Sequence, residues 1–155
     1  VNFGKYLSLI PFEYHFKKEP DWYWRIRSVT AEDELAKDQW WTNNTDLFNG
    51  IPVPPAGFRV MIFEIVRTFA GTNIPKTDKP VEDGGKPVLS DNATEAEIET
   101  VVRSMPPEMV TEIWYAIGDI NPFWGPARPK KAEESSEDNA SDGNKESTGA
   151  KDLAN

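Results

Sequence analysis

After Trp124 the chain stops supplying anything that could build a core. Residues 126–155 hold no aromatic residue and a single Leu, set among Lys, Glu, Ser, Asp, Asn and Gly. Such a segment buries too little apolar surface to offset the entropy of ordering it. The fold must therefore come from residues 1–125, and residues 126–155 are predicted to be a disordered acidic tail. With 38% hydrophobic residues in a chain of 155, there is material for one domain with a core and not for two.

Charge and cysteine content narrow the function. Seventeen Lys and Arg against 26 Asp and Glu give a formal charge of -9, which opposes docking on a phosphate backbone, so nucleic acid is not an expected partner. The absence of cysteine excludes disulfide staples, thiolate zinc sites and thiol nucleophiles. No segment has the composition of a membrane span, and the opening Val1-Asn2-Phe3-Gly4-Lys5 lacks the pattern of a signal peptide. Three short matches to the glycosylation acceptor pattern, at Asn43, Asn92 and Asn139, are of the kind that polar sequence produces by chance.

Hydrophobic patterning predicts an α+β domain, an N-terminal β-hairpin packed on three to four helices. Residues 6–16 and 22–29 are aromatic and β-branched runs separated by Lys17-Lys18-Glu19-Pro20-Asp21. In the second run Trp22, Trp24, Ile26 and Ser28 share a face opposite Tyr23, Arg25, Arg27 and Val29, the alternation of a half-buried strand. Thr30 followed three residues later by Asp33 opens a helix as a capping hydroxyl with its reciprocal acid. Residues 43–55 are predicted as a turn-rich connector tied down by Leu47, Phe48 and Ile51, and residues 56–70 as a buried central helix capped by Gly71. A long loop follows to Asn92. Thr94 and Glu97 form a second capping box, Pro106-Pro107 ends that helix and starts another, and Asn121-Pro122 stops the last one, with Phe123-Trp124 folding back.

Catalytic motifs are absent from this pattern. The single histidine, His15, lies in a predicted strand, where it reads as a partly exposed structural residue. No phosphate-binding glycine loop, dinucleotide fingerprint, zinc-protease helix or calcium loop occurs. Glu32, Asp33, Glu34 and Asp38 could support carboxylate chemistry or hold Mg²⁺, but acids in a first helical turn are read here as a solvated face that complements the helix dipole. The expectation is a protein without enzymatic activity, cofactor or metal. Its six Trp, eight Phe and four Tyr instead suggest contact surface, since such side chains serve interfaces as well as cores. Neighbours such as Trp40 and Trp41 lie about 100° apart on a helix and cannot both face inward.

Several phrases of the chain resemble tail assembly chaperones of long-tailed bacteriophages and prophages. They are Arg27-Ser28-Val29-Thr30-Ala31-Glu32-Asp33-Glu34-Leu35-Ala36, then Thr68-Phe69-Ala70-Gly71-Thr72-Asn73-Ile74-Pro75, Met105-Pro106-Pro107-Glu108-Met109-Val110 and Ala116-Ile117-Gly118-Asp119-Ile120-Asn121-Pro122. The resemblance implies a non-enzymatic factor in the host cytoplasm that coats the tape measure protein and helps recruit tail tube protein, with self-association left open. A structural virion component, a tail or connector subunit, is the alternative. Such chaperones are mostly helical, so the aromatic hairpin is a departure. The client surface expected on this reading is the hairpin and first helix, with Trp22, Trp24, Trp40 and Trp41.

Overall fold

The computed structural model describes residues 10–127. The acidic tail expected over 126–155 lies, but for its first two residues, outside the described residues, as does the first part of the predicted opening strand. Within them the architecture is α+β: a three-stranded antiparallel sheet, four helices and a separate two-stranded hairpin.

The N-terminal hairpin forms from β1 (Phe12–His15) and β2 (Tyr23–Ile26), with Tyr14 opposite Trp24. Alternation works as the pattern requires, for Trp24 and Ile26 are fully buried while Tyr23 and Arg25 are only partly covered. The hairpin is not the whole sheet. The central helix, α2 (Phe58–Thr68), ends short of Gly71, and β5 (Phe69–Thr72) pairs antiparallel with β2. The order is β1-β2-β5, so the second edge of β2, open in a lone hairpin, is satisfied by the chain leaving α2. Side chains reinforce this junction: Thr72 Oγ1 donates to the Tyr23 carbonyl at 2.7 Å, and the Tyr23 N–H donates to Asn73 Oδ1 at 2.7 Å. Helix continuation through the aromatic and glycine-containing Phe69-Ala70-Gly71-Thr72 competes poorly with that pairing.

The two remaining core helices stand where the caps predict. In α3 (Glu95–Ser104), Thr94 and Glu97 make the reciprocal capping box, and α4 (Pro107–Ile120) begins on its proline. Ile98 and Val102 of α3, Val110, Ile113 and Ile117 of α4, and Ile65 of α2 meet Trp24 and Ile26 of β2, and Phe16 just past β1, in one core. Complete burial of each such aliphatic side chain is worth about 1.5–3 kcal/mol. β1 is also tied to α4, as Tyr14 donates to Glu112 Oε2 at 2.7 Å. Burial, reinforced by that carboxylate, pushes the Tyr14 phenol up to about 12.

Beyond α4 the chain does fold back. Trp124 is buried while Phe123 points outward, and Gly125 passes so close to α4 that a Cβ on it would lie 2.5 Å from Gly118 Cα. Gly125, with φ of 78°, has no room for a side chain there.

Candidate partner-binding surface

The first helix, α1 (Ala31–Asn43), attaches to this core without an apolar stripe. Its one fully buried residue is Asp33, whereas Leu35 is exposed. The prediction of a solvated acidic face is thus corrected at Asp33. Arg27 grips that carboxylate with Nη1 at 2.6 Å and Nη2 at 2.8 Å, Arg67 Nε donates at 2.7 Å, and the Thr30 N–H and hydroxyl complete the cap. Burial alone would raise the Asp33 carboxyl, but the donors from Arg27, Thr30 and Arg67 outweigh it and hold the group well below the usual carboxylate range. The acid is committed to two arginines, and among the described residues no group of three or more His, Asp or Glu could hold a metal ion.

A second buried carboxylate, Glu64 of α2, joins three parts of the chain. Only 1% exposed, it accepts from Lys37 Nζ of α1 at 2.6 Å, Trp114 Nε1 of α4 at 2.6 Å, and the Gly125 N–H at 2.7 Å. Lys37 also lies 4.8 Å over the Trp124 ring, whose Nε1 donates to Glu34 at 2.6 Å. Charged hydrogen bonds in a low-dielectric setting are strong when complete and costly when one partner is lost. These contacts fix α1 so that Trp40 stacks on Phe63, with centroids 4.7 Å apart and planes at 23°.

Below that stack lies a cleft of about 510 Å³ between α1, α2 and α3. Trp40, Ile62, Phe63 and Val66 supply its apolar lining, and the rim carries both signs of charge, with Arg59 and Arg103 facing Glu95 and Glu99. A smaller cleft of about 300 Å³, containing Phe58, Met105 and Val110, shares Ile62 and Arg103 with the first. The larger cleft is thus of mixed polarity, and Ile62 and Arg103 stand between it and the smaller one.

Beside the clefts stands the element that patterning missed. The connector predicted over 43–55 contains a second hairpin, β3 (Asp46–Phe48) and β4 (Ile51–Val53), paired as Leu47 with Pro52 and Phe48 with Ile51. Its turn is Asn49-Gly50 with φ of 51° and 77°, the two positive values of a type I′ turn. That dipeptide between apolar residues was the available signal. Leu47, Phe48 and Ile51, expected to tie the connector down, do the reverse: they are 75%, 69% and 65% exposed, and Val53 is 46% exposed. At the base, Arg59 Nη2 donates to Asn44 Oδ1 at 2.6 Å, linking the residues just before and after the hairpin.

The four tryptophans proposed as a client surface separate. Trp24 is fully buried against Phe69 and cannot meet a partner, because inward alternation in β2 commits it to the core. Trp22 is half-buried and packs on that same core. Trp40 lines the larger cleft, and Trp41, 38% exposed, follows it near the end of α1, three residues before Asn44 at the hairpin base.

No family model, curated protein or solved structure matches this chain. Among the described residues, no helix is long and apolar enough to cross a membrane.

Proposed function

We propose that this protein is a non-catalytic assembly factor that holds an apolar segment of a client against the β3–β4 hairpin and the adjoining grooves. The observation that carries the reading is the hairpin, whose four large apolar side chains all face solvent. Phe48, Ile51 and Val53 share one face of it, exposed apolar residues gathered in this way mark an interaction site, and an isolated two-stranded hairpin is marginal in water on its own. An amphipathic helix suits the grooves, with its apolar face against Trp40, Ile62 and Phe58 and its polar residues toward the mixed-charge rim.

Among assembly factors, the resemblance of the sequence favours a tail assembly chaperone acting in the bacterial host on a tape measure protein and its tail tube subunits. Co-expression with the neighbouring products of its genome, followed by affinity capture, tests this. Capture of a very long helix-rich protein, lost in the Phe48→Ser, Ile51→Ser double variant, is the expected result. Recovery of the chain itself in purified virions would move the assignment to a structural tail or connector subunit. Retained capture by the double variant would remove the hairpin from the site.

A further inference from the structure

The backbone of the exposed hairpin is as informative as its side chains. Around a two-residue turn the closing pair, Phe48 and Ile51, exchanges ladder hydrogen bonds, and so does the pair Asp46 and Val53. The intervening pair, Leu47 and Pro52, points its backbone groups away from the ladder. The two edges are therefore unequal. On β4 the outward position is a proline, which has no N–H, and Pro54 and Pro55 follow. On β3 the outward position is Leu47, which offers both an N–H and a carbonyl, and among the described residues no third strand covers it.

We infer that β3 is the pairing edge for a second copy of this chain, in a two-fold antiparallel register with Leu47 opposite Leu47. The register is self-complementary: each Leu47 N–H donates to the other Leu47 carbonyl. Asp46 is the one charged residue among residues 45–54. In this register it lies opposite Phe48 of the other copy and not opposite its own counterpart, so no like charges face one another across the strands. The product is a four-stranded sheet ordered β4-β3-β3-β4. One of its faces gathers Phe48, Ile51 and Val53 from both copies, because directly opposed residues share a face. Pro52 then stands at each outer edge and stops further addition, which closes the assembly at two copies and prevents a filament.

Three-residue strands meeting edge to edge cover much less than the roughly 800 Å² per partner of a stable dimer, so pairing is concentration-dependent. The charge of -9 on each chain opposes association, and added salt strengthens it through screening, the reverse of what salt does to binding of a basic client. The inference rests on the hairpin backbone and holds whichever client occupies the grooves.

Sedimentation velocity over a concentration series, at low and high salt, tests the pairing on the full chain. A monomer–dimer equilibrium that shifts toward dimer with salt and is lost in Leu47→Pro is expected. A monomer at every concentration and salt would overturn the inference, whether or not a client binds the same edge. Because the chain has no cysteine, single-cysteine variants give a readout that does not depend on tolerance of proline. Paired Leu47 positions would bring Cα atoms to about 5.5 Å, within disulfide reach. Under mild oxidation Leu47→Cys should cross-link at least ten times faster than Val53→Cys on the far strand, and equal rates would refute the two-fold register.

Discussion

Two elements leave the same core in opposite ways. Helix α1 is held to it by charge: Asp33 between Arg27 and Arg67, Lys37 on Glu64, and Glu34 on the Trp124 indole. The β3–β4 hairpin follows α1 directly and has one charged residue, Asp46, yet its large apolar side chains lie in solvent. One region puts polar groups inside, and the next puts apolar groups outside. The first arrangement fixes geometry, because a buried ion pair with complete hydrogen bonds tolerates one alignment of its partners. The second leaves apolar surface in water, which the proposed function accounts for as a contact surface.

If that contrast is right, the sharpest break comes at Glu64. Glu64→Ala strands Lys37, the Trp114 indole and the Gly125 N–H at once, and should lower unfolding free energy by about 3–5 kcal/mol in urea titration. Asp33→Ala leaves Arg27 and Arg67 partly exposed to water, so its cost should be smaller, about 2–3 kcal/mol. The native Asp33 carboxyl titrates below its unfolded value. Its contribution is therefore full above about pH 4, the unfolded carboxylate range, and falls away as pH drops toward the native value. An acid-unfolding series should show a flatter limb for Asp33→Asn than for wild type.

At the other end of the pH scale, the Tyr14 phenol is raised to about 12. Stability from this group is complete below about pH 10, where the unfolded phenol titrates, and is lost as pH rises through the native value. Tyr14→Phe should cost about 1 kcal/mol at neutral pH and flatten the alkaline limb, with phenolate absorbance following the titration directly.

Much of this architecture could be read from local chemistry. Thr30 with Asp33, Thr94 with Glu97, and Pro107 each marked a helix start, since capping needs only residues a few positions apart. Period-two alternation in β2 placed Trp24 and Ile26 on one face but could not say that the face was the core side, so Trp24 was carried into the client surface wrongly. The apolar density of residues 56–70 pointed to helix throughout. The pairing of Phe69–Thr72 with β2 is a long-range choice that overrides that local preference. Glu64 and the Arg67 side of the Asp33 ion pair were illegible for the same reason: Lys37, Trp114 and Arg67 lie 27 or more positions from the carboxylates they meet, and no spacing rule links them. The hairpin was legible in principle, through Asn49-Gly50, but its exposure was not, because apolar residues in a connector read as anchors.

The smallest expected effect carries the most weight. Urea unfolding of the Phe48→Ser, Ile51→Ser variant, at a protein concentration low enough to keep it monomeric, asks whether the hairpin serves the fold at all. An interaction element predicts a change within about 0.5 kcal/mol of wild type, the range of ordinary surface substitutions. A loss of about 2 kcal/mol or more, as for truncation in a core, would show that these side chains stabilise the monomer and would contradict the account.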